Sequence, residues 1–216
     1  MVPDNIVLIS DPEVLKIPIQ DNGEPLVDLR TFLDMKIGNH KAGDSDSYFK
    51  IRKSIAEKLV AASKRLPVGV SFLIVEGYRP LSFQKEYFDG YSRELREAHS
   101  DWDEKKIYTE ASKYVAPPEI TPPHSTGGAI DLTLTKDGLE LDMGTRINAD
   151  PEESNNGCFT LADNISAEAK VNRKILIDVM TSIGFVNYPT EWWHWSYGDR
   201  YWAYWMKQSN AIYNSV

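Results

Sequence analysis

Two short stretches of this chain, about sixty residues apart, carry residue types that can hold a metal ion and move a proton. The first is His124-Ser125-Thr126-Gly127-Gly128-Ala129-Ile130-Asp131-Leu132-Thr133-Leu134-Thr135, and the second is Glu191-Trp192-Trp193-His194-Trp195. Together they offer two imidazoles and two carboxylates. A catalytic zinc site uses three such protein ligands and keeps a fourth position for water. A carboxylate that is not a ligand can then take the proton from that water. The residues read as His124, Asp131 and His194 for the ligands and Glu191 for the base.

Local structure must bring these groups together. Gly127 and Gly128 permit the backbone conformations of a tight reversal. Beyond them Ile130, Leu132 and Leu134 alternate with Asp131, Thr133 and Thr135, the pattern of a half-buried strand with a polar face. A histidine before the reversal and an aspartate on the strand after it can share a metal. The second stretch poses a parity problem, because Glu191 and His194 would face opposite sides of a regular strand. Tyr188-Pro189 and the tryptophan run read as extended chain. Glu191 is therefore expected in a turn or bulge just before the strand, turned back toward the metal.

At 216 residues the chain is long enough for one well-buried core, and a single domain with an irregular N-terminal arm over about residues 1–46 is expected. The arm is marked by Pro3, Pro12, Pro18, Gly23 and Pro25. The formal net charge of −8 argues against nucleic-acid binding. Cys158 is the sole cysteine, which rules out an internal disulfide. With no basic and apolar leader pattern and no apolar run of spanning length, a cytoplasmic protein without a membrane partner is expected, the alternative being a periplasmic one whose leader has been removed.

The remaining elements follow from periodicity. Tyr48, Ile51, Ile55, Leu59 and Ala62 predict a helix from about Ser47 to Arg65. Val70–Val75 reads as a central strand that breaks at Glu76-Gly77-Tyr78-Arg79-Pro80. A helix capped by Ser82 should follow, with Tyr87, Phe88, Tyr91, Leu95 and Ala98 on one side, and then a short helix from about Asp103 to Tyr114. Lys136-Asp137-Gly138 reads as a hairpin turn returning through Leu139–Leu141. Residues 143–165 form a long loop of the kind that is functional or mobile. The clearest helix starts at the N-cap Ser166 and carries Val171, Ile175, Leu176, Val179, Met180 and Ile183 to Gly184. A final strand covers Trp192–Tyr197, and Tyr201, Trp202, Tyr204 and Trp205 make an aromatic lid. Helices and strands do not alternate, so the fold class is α+β with a mainly antiparallel sheet flanked by helices.

Plainer readings stand beside the chemical ones. Singly, His124 and His194 would be satisfied core histidines, but buried Asp131 and Glu191 without a partner would be costly, and a metal removes that cost. Arg79 is either a surface arginine next to a proline or a residue reaching into a cleft to stabilise an oxyanion. His40, His99, Cys158 and the acidic group Asp150, Glu152 and Glu153 read as solvated or structural. The tryptophans read as core and rim.

The three segments Glu76-Gly77-Tyr78-Arg79-Pro80, His124-Ser125-x-Gly127-x-Ala129-Ile130-Asp131-Leu132-Thr133-Leu134 and Glu191-Trp192-Trp193-His194 resemble the D-alanyl-D-alanine dipeptidases, a group that includes the vancomycin-resistance dipeptidases. The resemblance runs in order from about residue 70 to 197. It implies the α+β fold shared with the hedgehog signalling domain, and one zinc per chain on His124, Asp131 and His194. It further implies Glu191 as general base and acid, and Arg79 as the transition-state clamp. Two positions depart from the group. Pro122-Pro123 stand where serines precede the first zinc histidine. Asn148 stands where an aspartate receives the substrate's free amine, and Asp150 is the nearest carboxylate to substitute. Ser125, Asn148 and Asp150 are the candidate substrate contacts. The expected activity is zinc-dependent hydrolysis of D-alanyl-D-alanine or a related dipeptide. The alternatives are a zinc D,D-carboxypeptidase or endopeptidase acting on longer peptidoglycan peptides, and a non-catalytic zinc-stabilised binding module.

Overall fold

The computed structural model describes residues 6–32, 36–38 and 45–216. In chain order its strands are β1 (Leu26–Asp28), β2 (Lys36–Ile37), β3 (Lys50–Arg52), β4 (Val70–Glu76), β5 (Ala129–Lys136), β6 (Leu139–Glu140), β7 (Val186–Asn187) and β8 (His194–Ser196). Its helices are α1 (Pro12–Leu15), α2 (Lys53–Ser63), α3 (Leu81–Ala98), α4 (Glu104–Ala111), α5 (Ala167–Ser182) and α6 (Arg200–Trp205). The main sheet runs β2-β4-β5-β8-β7, with β6 also paired to β5, and every pairing but β2–β4 is antiparallel. The α+β class with a mainly antiparallel sheet holds. Among the described residues no helix is long and apolar enough to cross a membrane.

β5 is the axis of the sheet. Its apolar face, Ile130, Leu132 and Leu134, packs with Phe72 and Ile74 of β4, with Ile55 and Leu59 of α2, and with Leu176 and Met180 of α5 in the largest core cluster. Its polar face is not open: Asp131, Thr133 and Thr135 are each 2% exposed. The alternation therefore marks a strand buried on both faces, one of them polar. Asp137 (φ 52°) and Gly138 (φ 90°) turn β5 into β6 in the left-handed region that Asp-Gly hairpins use.

The expected helix from Ser47 splits in two. Asp46–Phe49 is a 3-10 turn, β3 pairs with β1, and only Lys53–Ser63 is α-helical. The reason lies in the carbonyls, since Tyr48 O accepts from Gly77 N and Lys50 O from Tyr78 N, so neither can bond within a helix. Tyr48, Ile51, Ile55 and Leu59 are all buried, so the spacing was core-forming without being helical throughout. Gly77 is required at this crossing, because a Cβ there would stand 2.4 Å from Lys50 O.

Other boundaries shift for similar reasons. α3 begins at Leu81 after Pro80 without a side-chain cap, which leaves Ser82 inside the helix. The final strand starts only at His194, because Trp192 and Trp193 belong to a turn. The aromatic tail contains an unforeseen helix, α6, whose N-cap Asp199 accepts from Trp202 N at 2.8 Å. In α5 Val171 is 61% exposed, whereas Asn172 and Arg173 take the inward face. Arg173 holds the loop over residues 143–165, which contains neither helix nor strand, and Asn172 holds Asp142 just before it. Within the expected irregular arm, α1, β1 and the 3-10 turn Leu29–Thr31 are formed.

Candidate active site

One transverse row of the sheet carries much of the site. Asp131 on β5 lies opposite His194 on β8 on one side and opposite Glu76 on β4 on the other. Strand register thus presents three titratable side chains abreast. His124 comes from outside the row, on the 3-10 turn Pro123–Thr126 that ends at Gly127 in the left-handed region (φ 68°). A Cβ on Gly127 would meet Leu26 Cδ2 at 2.4 Å, so the reversal and its packing both demand glycine. The His124 turn is tied to the Gly-Tyr-Arg-Pro loop twice. Arg79 N donates to His124 O at 3.1 Å, and His124 Nδ1 pairs with Gly77 O at 2.7 Å.

His124, Asp131 and His194 are 5%, 2% and 4% exposed. His124 Nε2 and His194 Nδ1 are 3.1 Å apart, Asp131 Oδ1 lies 3.1 Å from His194 Nδ1, and it lies 3.3 Å from His124 Nε2. A tetrahedral ion with bonds of about 2.0–2.1 Å has ligand-to-ligand edges of about 3.3 Å, so the triangle fits zinc. The hydrogen bond to Gly77 O fixes the His124 proton on Nδ1 and leaves the Nε2 lone pair facing the centre. Two imidazole lone pairs and a carboxylate oxygen pointed at one another in a buried corner call for a cation. Burial works against ionisation of Asp131, yet His124 and His194 outweigh it and hold its carboxyl well below the usual carboxylate range.

Glu191 resolves its parity problem through a turn. Glu191 N donates to Tyr188 O at 2.9 Å, and His194 N donates to Glu191 O at 3.2 Å. Asn187 Nδ2 fastens the turn through Glu191 O and His194 O. The Glu191 carboxylate consequently reaches back to within 3.9 Å of His194 Nδ1. Burial pushes its carboxyl up to about 7, with His194 and Arg79 pulling the other way.

The site opens into a cleft of about 520 Å³ whose lining includes Arg79, Tyr91, Asn148, Asp150 and Glu191 beside the three metal-corner residues. Arg79 is a cleft residue rather than a surface one, with a side chain 13% exposed. Burial opposes its charge, and the neighbouring Glu76 more than restores it. Asn148 and Asp150 line the cleft from the 143–165 loop, Asn148 in the left-handed region (φ 59°). Ser125 is fully buried and does not line the cleft, so the structure does not bring it to the substrate side. His99 stacks on Trp102 at 3.8 Å and Cys158 is buried, neither of them lining the cleft, and His40 lies outside the described residues.

A sequence profile described as D-ala-D-ala dipeptidase, peptidase family M15, matches residues 37–212. The chain belongs to that family. As a member it is a zinc metallopeptidase, and the donor set at His124, Asp131 and His194 fits that metal. Among the relatives of this dipeptidase-family chain is a D-alanyl-D-alanine dipeptidase of Synechocystis sp., 29% identical over 94% of this chain and 93% of that protein. Another, of Enterococcus faecalis, is 29% identical over 70% of this chain and 77% of that protein. A solved LD-carboxypeptidase, LdcB, aligns with a TM-score of 0.48 and 23% identity over 96% of this chain and 87% of that one.

Sequence reasoning missed the residues that fix the site from behind. Glu76, Gln84 and Tyr87 surround Arg79, and Arg173 organises the loop across the cleft. The signal for Glu76 was present, as a carboxylate ending an apolar strand three residues before an arginine. Arg173 gave a weaker one, an arginine on the inward side of an amphipathic helix.

Proposed function

We propose that the protein hydrolyses D-alanyl-D-alanine or a related dipeptide, with zinc held by His124, Asp131 and His194, Glu191 as base and acid, and Arg79 as the clamp on the transition state. The observation that carries this reading is the buried triangle of donor atoms 3.1–3.3 Å apart with a non-ligand carboxylate 3.9 Å from one corner. Zinc bound there supplies a Lewis acid that polarises a peptide carbonyl and lowers the pKa of water. With two neutral histidines and one aspartate, the site keeps a formal charge of +1.

Glu191 faces the centre from a partly exposed position, its side chain 21% accessible, so it can exchange protons with molecules in the cleft. It takes a proton as water adds to the carbonyl carbon and hands one to the leaving nitrogen as the C–N bond breaks. Arg79 lines the same cleft, and its guanidinium would stabilise the negative charge that gathers on the former carbonyl oxygen. The test is mass-spectrometric detection of free D-alanine from zinc-loaded protein and D-alanyl-D-alanine, with Glu191→Ala as the blank. Release by the wild type alone is the expected result, and equal release by Glu191→Ala would sink the assignment of the base.

One observation favours a second substrate range. Asn148 lines the cleft with an amide, which cannot pair with an ammonium as a carboxylate does. Longer or amino-blocked peptides then lose less by lacking a free amine. Turnover of an amino-blocked tripeptide at a rate matching the dipeptide would move the reading to a carboxypeptidase.

A further inference from the structure

Arg79 does not reach the cleft as a free side chain, and its restraint begins with a β-bulge. Along β4, Phe72 lies opposite Leu134 and Ile74 opposite Leu132, all on the core face. Continued without change, that register would set Glu76 opposite Ile130 and drive its carboxylate into the core. The register instead shifts between Ile74 and Glu76, and Glu76 comes to lie opposite Asp131. One inserted residue, Val75, moves the side chain from the core face to the face of the metal corner.

Glu76 is fully buried there, and its carboxylate is committed to Arg79. Arg79 Nε donates to Oε1 at 2.5 Å and Nη2 to Oε2 at 2.8 Å. Gln84 Oε1 accepts from Nη1 at 2.8 Å, and Gln84 is itself fixed by donating to Ala116 O at 2.7 Å. The Tyr87 ring lies under the guanidinium at 4.7 Å. A guanidinium has five N–H donors in a rigid plane. The bidentate pair occupies the Nε–Nη2 edge and Gln84 takes one donor of Nη1, which leaves one N–H on each terminal nitrogen. The arginine is thereby held in one orientation before any substrate arrives, as an oxyanion donor must be if it is to avoid reorganising during the reaction.

We infer that Glu76, brought to the site face by the bulge at Val75, is the positioning residue that aims Arg79 at the reacting carbonyl, with Gln84 as its second support. This rests on the reading of Arg79 as the transition-state clamp. It assigns Glu76 no contact with substrate or metal.

The test compares Glu76→Gln, Arg79→Ala and the double variant in zinc-loaded full-length protein. It measures kcat, KM, zinc stoichiometry and affinity for a phosphinate dipeptide, a tetrahedral anionic analogue. Arg79→Ala is expected to lower kcat about 10²- to 10³-fold, the usual loss for an oxyanion donor. Glu76→Gln should lower it about 10- to 100-fold, as a misplaced catalytic group does. KM and zinc content should stay near wild type, and phosphinate affinity should fall by the same factor as kcat/KM. In the Arg79→Ala background Glu76→Gln should cost nothing more, because the group it positions is gone. A wild-type kcat in Glu76→Gln overturns the inference, and so does a full additional loss in the double variant. Should Glu76→Gln fail to fold, Gln84→Leu takes its place, with a several-fold loss of kcat expected that also vanishes without Arg79. An active wild type with insensitive variants sinks the positioning role alone, whereas an inactive wild type sinks the dipeptidase reading and this inference together.

Discussion

Two of the three proposed zinc ligands stand on paired strands, and the Asp131–His194 register decides where they meet. Across the cleft, the loop over residues 143–165 has no strand or helix: it is a run of turns closed by local main-chain bonds and tied down from outside by side chains. Arg173 donates to Met143 O, Gly157 O, Phe159 O and Thr160 O, Asn172 donates to Asp142 O, and Trp192 Nε1 donates to Thr145 Oγ1. The first arrangement is set by main-chain geometry, shared by every residue of the ladder. The second combines short main-chain turns of its own with side chains that reach in from outside, Arg173 foremost. On the proposed function the chemistry is thus built into the sheet, and Asn148 and Asp150, the proposed substrate contacts, sit on a part of the chain that can vary without disturbing it.

The largest effects should come from breaking the corner. His194→Ala is expected to lose zinc and turnover together, since it removes one of the three proposed ligands. Glu191→Ala should keep its zinc and lose about 10²- to 10⁴-fold in kcat, the range for a lost general base. Elemental analysis of each purified variant beside its D-alanine release separates the two outcomes. Chelator treatment should remove activity from the wild type, and added zinc should restore it.

Breaking the loop should act differently. Arg173→Met takes the donor from Met143 O, Gly157 O and Thr160 O, whereas Phe159 O keeps Ala162 N, at a cost of about 2–4 kcal/mol of folding stability. The urea midpoint reads that loss. Zinc binding should survive, and KM should rise more than kcat falls, because Asn148 and Asp150 ride on the loop Arg173 holds. Loss of zinc by this variant would show that the two regions are not separable.

A gentler change would sharpen the comparison from the substrate side. Asn148 already occupies the left-handed region, which Asp tolerates nearly as well as Asn, so Asn148→Asp should leave stability unchanged. It adds a charge that can pair with an ammonium, worth about 1.5 kcal/mol or more, or about tenfold. KM for a free dipeptide relative to an amino-blocked one should fall by about that factor. An unchanged ratio would place the amine elsewhere in the cleft.

How much of this was legible in the sequence follows the same division. The strand bearing Asp131, the turn before His194 and the meeting of His124, Asp131 and His194 were readable, because period-2 alternation and glycine-directed reversals are local signals. The Glu76 bulge was not, since a one-residue register slip between strands more than fifty positions apart leaves no periodic trace. The loop over 143–165 reads as long and structureless, but the side chain that ties it down, Arg173, sits in a helix whose inward face reads as apolar. Val171 reads onto that face by its hydrophobicity but is exposed, and the inward positions beside it are taken by Asn172 and Arg173, which bond to Asp142 O and to loop carbonyls.

Two serines test that lesson at the smallest scale. Ser82 and Ser166 both read as N-caps from sequence, one before each of the two longest helices. The structure gives the role to Ser166 alone. Its Oγ accepts from Ala169 N at 2.9 Å and donates to Asp142 Oδ2 at 2.8 Å, joining the start of α5 to the residue before the loop. Ser82 lies one residue inside α3, beyond a proline that already sets the entry angle and lacks an N–H to satisfy. Ser166→Ala is expected to cost about 1 kcal/mol, the usual loss for a cap, and to raise KM slightly as Asp142 loses its partner. Ser82→Ala should stay within about 0.5 kcal/mol of wild type, as a surface change without a special contact does. Equal costs in a denaturant titration would mean that helix entry is governed by sequence pattern at both sites. A clear difference would trace the cap to the loop it anchors, the same dependence that Arg173 shows on a larger scale.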